Sequence, residues 1–182
     1  AASNTRWNVL GQQVMMARFN YGAAIPVSAG GPNLWNVDQW DGYGAARQRL
    51  LNTFAANPAK NVVVLTGDIH SAWVHDLKAD FLNPNSATVA TEFVCSSITA
   101  DFPSGFWAPA EGAAAFFSPW TKYLQARKRG YSLCTVTQDT FRTDFKSVTS
   151  TPTAGQVVST TATVTTDAAF VVQNGTPGAV LA

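Results

Sequence analysis

Asn61-Val62-Val63-Val64-Leu65-Thr66-Gly67-Asp68-Ile69-His70 is the most informative stretch of the chain. Its first six residues form a nearly continuous aliphatic and β-branched run, the pattern of a strand buried on both faces. The run stops at Gly67, and an acid and an imidazole follow within three residues. Open α/β sheets hold their ligand sites just outside the carboxyl ends of such strands. Gly67 is expected to let the backbone turn and approach a ligand there. Asp68 and His70 converge if that turn breaks the strand's alternation. A carboxylate with an imidazole suits iron, zinc or manganese better than a thiolate-seeking metal. Alone, the same residues also read as an acid capping a turn beside a satisfied core histidine.

Outward from this stretch the pattern is that of a mixed α/β sheet. Residues 7–16, WNVLGQQVMM, read as a buried strand, and residues 20–37, broken by Pro26, Gly30, Gly31 and Pro32, as a loop. A helix is expected over residues 43–56, with Leu50, Leu51 and Phe54 as its apolar stripe, Arg47 and Arg49 nearer its other faces, and Asn57-Pro58 ending it. It would join the first strand to a parallel neighbour at residues 61–66. Residues 71–78 and 89–95 read as further strands, with a turn at Asn83-Pro84-Asn85. Residues 100–120 read as a Pro/Gly-punctuated loop, 119–129 as a short helix ended by Gly130, and 131–148 as a hairpin turning near Asp139-Thr140. The Thr/Ser/Ala-rich tail suggests strands near 162–165 and 169–173. No repeat is present.

Other residues have bland local readings. His75, the only other histidine, reads as structural or exposed, and two histidines cannot build a three-histidine zinc site. No G-x-S-x-G elbow supports a serine hydrolase. Asp41 is expected to cap the helix and Trp40 to staple its start. Glu92 reads as a solvent-facing strand acid, or, if buried, as one needing a cation. Arg127-Lys128-Arg129 reads as a solvated helix end rather than a nucleic-acid footprint, and net charge is only +1. No apolar run approaches the ~20 residues of a transmembrane span. Cys95 and Cys134 are compatible with one disulfide or with two thiols. Hydrophobic residues make up 46% and charged residues 13%, against roughly 25% charged in average proteins. That balance suits a chain whose surface is partly covered by other polypeptide, and equally an ordinary low-charge exported domain.

Five motifs occur in order: Trp7-x-Val9-Leu10-Gly11-Gln12-Gln13; Asp38-x-Trp40-Asp41-Gly42-Tyr43 with Arg47-x-Arg49; Leu65-Thr66-Gly67-Asp68-Ile69-His70-Ser71; Ala90-Thr91-Glu92-Phe93 with Ser97-Ile98; and Arg129-Gly130-Tyr131. Together they resemble the carboxyl-terminal part of PhoD-like alkaline phosphatases, a family that also includes a secreted phospholipase D. The match spans about residues 5–148, leaving 149–182 as a β tail of the same catalytic domain.

The resemblance implies a calcineurin-like metallophosphoesterase, a four-layer α/β/β/α sandwich with mixed sheets, secreted or periplasmic, that hydrolyses phosphate monoesters, diesters or phospholipids. It implies Asp68 and His70 as metal ligands, iron with calcium as the metals (zinc or manganese being the other options), and Glu92 as a residue supporting a ligand or binding calcium. Asp38, Trp40 and Tyr43 are candidates for contact with substrate, with Asp38 and Asp41 ordering the loop near the site. The family's opening motifs, D-x-H, G-D-x-x-D and N-H-D/E, are absent, and Ser71 stands where a trailing acid would be. The chain is therefore expected to act with a separate amino-terminal part, as a nicked but docked fragment or as a separately produced piece, and to be inactive alone. The aromatic segment with Phe102, Phe106, Trp107, Phe116, Phe117 and Trp120 either packs on that missing part or touches lipid. The competing reading is a non-catalytic exported β-rich module whose G-D-x-H is incidental.

Overall fold

The structure, a computed structural model, describes residues 4–24, 34–57, 61–149 and 162–182. Among these residues nine strands form two sheets. The first sheet contains β1 (Asn8–Gly11), β2 (Val62–Thr66), β3 (Ala72–Lys78), β4 (Thr88–Val94) and β5 (Thr121–Gln125), in the order β1-β2-β4-β3-β5. β1, β2 and β4 run parallel, and β3 is antiparallel to both β4 and β5. The second sheet is an antiparallel meander of β6 (Gly130–Val136), β7 (Thr140–Thr149), β8 (Thr163–Gln173) and β9 (Thr176–Leu181). Two α-helices, α1 (Gly44–Ala55) and α2 (Trp107–Phe117), and three short 3-10 turns complete the described elements.

Alternation along the strands sorts the two faces of the first sheet. Val63, Val74 and Phe93 point to the second sheet and pack on its Phe141, Phe145, Phe170 and Val172. Val64, Trp73, Leu77 and Val94 point the other way, onto Leu51 and Phe54 of α1, Ala114 of α2 and the buried segment Met15 to Phe19. The described residues thus make helices, sheet and sheet. Both faces of β2 are covered, as the unbroken NVVVLT run requires. Asp76 joins the sheets polarly, accepting from the Ala179 N–H of β9 at 3.1 Å.

Several expectations are corrected. The first strand ends at Gly11 instead of continuing to Met16, because the Met15, Met16 and Ala17 N–H groups bond to the side chains of Gln39 and Glu92 instead of a neighbouring strand. Residues 100–120 contain α2, with Pro109 in its first turn, where a missing N–H costs nothing. Residues 121–125 form β5 instead of a helix: pairing with β3 on the sheet edge places Tyr123 on the intersheet core and Leu124 on the helical face. The tail forms one long strand, β8, and a further strand, β9; residues 150–161 lie outside the described set.

The start of α1 also differs. Tyr43, not Asp41, is its N-cap, and a 3-10 turn, Trp40–Tyr43, leads into it. Asp41 instead pairs with Arg47 at 2.7 Å and accepts from the Phe19 N–H at 3.0 Å. Arg47 is buried, not solvent-facing, and also donates to the Met16 carbonyl. Trp40 packs on the core as a staple would.

Candidate functional site

β2 ends at Thr66, and the next four residues turn sharply. Asp68 has φ 73° and His70 φ 57°, both left-handed. Gly67 does not: its φ is ordinary, and an added Cβ would meet nothing within 4 Å. The expectation that Gly67 makes the turn is therefore wrong; the acid and the imidazole make it themselves. A left-handed L-residue costs about 1–2 kcal/mol, and such strain collects at functional sites. Between them Ile69 packs against the apolar clusters. This anchor turns both polar side chains outward, and both are exposed.

They line one cleft, with Tyr21, Leu34, Trp35, Asn36, Asp38, Gln39, Ile69, Phe102, Pro103 and Phe106. Gln39, only 2% exposed, donates from Nε2 to Asp68 Oδ2 at 2.7 Å, while its Oε1 accepts from the Met15 N–H. His70 Nδ1 lies 3.2 Å from the Asp101 carbonyl, an acceptor only, so Nδ1 carries a proton and Nε2 is the ring nitrogen left to face the cleft. Asp68 Oδ1 and His70 Nε2 take no bond among the described residues. The Tyr21 hydroxyl, on the same cleft, is buried without a partner among the described residues; burial, aided by the Asp41 charge, pushes it well above the usual phenol range.

The remaining residues named from sequence fall apart. Asp38 is on the cleft; Trp40 and Tyr43 are not, Trp40 serving the core and Tyr43 standing 63% exposed. Glu92 is fully buried on the helical face of β4, below the cleft. Its Oε1 accepts from Met16 N–H (2.7 Å) and Thr66 Oγ1 (2.7 Å), and its Oε2 from Ala17 N–H (2.9 Å). Burial pushes this carboxyl upward, while those three donors and the Arg47 charge pull it back. It thus orders the strand tip and the 15–17 turn. His75, opposite Glu92 across the ladder, is fully buried, stacked on Trp73 and bonded through Nδ1 to Thr121 Oγ1 at 3.1 Å.

The basic triplet lies in the β5–β6 connection, and each member has an acid: Arg127 with Glu111, Lys128 with Asp167, Arg129 with Asp101. Cys95 and Cys134 are free thiols. Phe102 and Trp120 are buried, and Phe106 is on the cleft; the Phe116 and Phe117 side chains lie outside the described set. Among the described residues no three metal-binding side chains cluster, and no helix is long and apolar enough to cross a membrane. Sequence reading missed Gln39, Tyr21 and Asp101. Gln39 and Tyr21 sit inside or near quoted motifs, but only tertiary contact reveals what they face.

A strand-end cleft bearing an acid and an imidazole on an α/β sheet is the kind of site metal-assisted hydrolases use. The comparisons define the class. A family model described as PhoD-like phosphatase matches residues 1–145, and the chain belongs to that family, in its carboxyl-terminal part. Alkaline phosphatase D of Bacillus subtilis (strain 168) is 33% identical over 162 residues, covering 88% of this chain and 26% of the relative. A solved structure titled "Structure of PhoD" superposes with a TM-score of 0.77 at 29% identity, over 99% of this chain and 32% of that one. The chain therefore spans about a quarter of the curated relative's length.

Proposed function

We propose that this chain supplies Asp68 and His70 to the metal centre of a phosphate-ester hydrolase, and that polypeptide outside the chain supplies the rest. The observation that carries this reading is the pair of left-handed residues at the β2 tip, facing one cleft with one donor atom each left free among the described residues. The donor set fits part of a site for iron, zinc or manganese, and calcium is the second metal that the family resemblance implies. A cation bound there would lower the pKa of a bound water to about 7 and offset charge on phosphoryl oxygens.

The chain's own residues prepare the cleft for that chemistry. Gln39 takes one lobe of the Asp68 carboxylate and leaves Oδ1 for the cation. Asp101 O holds the Nδ1–H of His70 and turns Nε2 outward. Leu34, Trp35, Phe102 and Phe106 make an apolar wall that suits the organic part of an ester, a phospholipid included. Asp38 sits on the same cleft, where its charge repels an unneutralised phosphate and so favours substrate only with the cation in place.

The calcineurin-like four-layer architecture belongs to this reading. So does the amino-terminal partner: the outer edge of β1 is bonded to no described strand, and an apolar groove beside it is lined by Val9, Leu10, Leu50, Phe54 and Val62. Export to the periplasm or outside the cell, and inactivity of this part alone, complete the reading. The test is hydrolysis of an aryl phosphate by the whole enzyme with and without EDTA, and by its Asp68→Asn and His70→Ala variants. Loss of turnover in all three arms is expected. Full turnover in both variants would leave the G-D-x-H incidental.

A further inference from the structure

We infer that Arg129 is a positioning residue for His70, acting through Asp101; this rests on the reading of His70 as a ligand. The acceptor that orients the His70 ring is a loop carbonyl, Asp101 O at 3.2 Å, between β4 and α2. A carbonyl on irregular backbone orients a ring only as well as it is held itself. Arg129 holds it: Nη2 pairs with the Asp101 carboxylate, and Nε donates to the adjoining Ala100 carbonyl at 3.4 Å. The Ser97 hydroxyl grips the same Ala100 oxygen.

Arg129 is itself rigidly set. The Val148 N–H of β7 donates to its carbonyl at 2.9 Å, and the Gly130 N–H donates to Ser97 O at 3.0 Å. Gly130 presses so close to β7 that a Cβ would lie 1.8 Å from the Lys146 oxygen. The second sheet thus reaches the cleft through one planar guanidinium, whose fork fixes direction as a lysine ammonium does not.

Stability does not explain this arrangement. The Arg129 side chain is only 6% exposed while that of Asp101 is 40% exposed, and Arg129 Nη1 is buried with no partner among the described residues. Solvent at the Asp101 end screens the pair, burying the guanidinium costs desolvation, and an orphaned buried donor costs free energy. What the arrangement delivers is a fixed Asp101 carbonyl, hence a fixed His70 tautomer and ring angle.

The test uses the whole enzyme as isolated, with metal content followed by elemental analysis along an EDTA series. Arg129→Met and Asp101→Asn should each weaken metal retention and kcat by about 10–100-fold, the usual effect of losing support behind a metal-bound histidine. KM for an aryl phosphate should stay within about twofold, and the double variant should be no worse than Arg129→Met, because both act on one contact. Arg129→Lys should recover only part of the loss. Wild-type metal retention in Asp101→Asn, a half-exposed position that tolerates the change, overturns the inference even if Arg129→Met fails to fold. His70→Ala separates the layers. If it loses metal while Arg129→Met and Asp101→Asn do not, only the Arg129 role falls; if it keeps metal, the ligand reading falls and takes this role with it.

Discussion

Gln39 donates from its buried Nε2 to Asp68 Oδ2 at 2.7 Å, linking the turn before α1 to the tip of β2. The same carboxamide accepts the Met15 N–H, so one side chain ties three segments together. Gln39→Leu should therefore do two things. It leaves a buried N–H unpaired, at about 1–3 kcal/mol, visible in the denaturant midpoint. It also frees the Asp68 carboxylate to rotate, lowering kcat about tenfold or more with little change in KM. Unchanged kcat in a destabilised variant would confine Gln39 to the fold.

Glu92 should behave as a structural acid. Its three donors are two backbone N–H groups and Thr66, and among the described residues no group of three metal-binding side chains includes it. Glu92→Gln turns one acceptor into a donor facing donors and should cost about 3 kcal/mol in unfolding free energy. Folded protein at low temperature should keep its metals. Metal loss with unchanged stability would return Glu92 to the ligand-supporting role that the family resemblance suggested.

Acid should destabilise the protein partly through His75. Full burial lowers its pKa to about 3, from an ordinary 6.5, so the native ring stays neutral where the unfolded ring is charged. Between pH 6.5 and 3 the unfolded state binds the extra proton, and stability falls as pH falls, by about 1.4 kcal/mol per pH unit from this group. Glu92 opposes it: its raised carboxyl pKa favours the native state as pH falls through the window above 4.5. Unfolding free energies at pH 7 and pH 5 should converge in His75→Phe relative to the parent. An unchanged difference would mean the ring is hydrated or paired.

Much of this was legible in the chain because it rests on local pattern. The unbroken apolar run at residues 61–66 announced a strand covered on both faces, and the period-3.6 stripe of Leu50, Leu51 and Phe54 announced α1. Residues 121–125 misled because nothing local distinguishes a polar edge strand from a helix; pairing with β3 decides it. Residues 12–16 misled because side chains 24 to 76 positions away replace the ladder. Asp68 and His70 were visible as residue types in a spacing. Their left-handed backbone, Gln39 behind one and Asp101 behind the other were not, since each depends on contacts between distant segments.

The most direct test of the central claim is an anomalous-difference map from crystals of the whole metal-loaded enzyme. The account predicts one peak within bonding distance, about 2.0–2.4 Å, of both Asp68 Oδ1 and His70 Nε2, with His70 Nδ1 still on the Asp101 carbonyl. Metal peaks that leave both side chains unbound, or a His70 ring turned to bind through Nδ1, would contradict it.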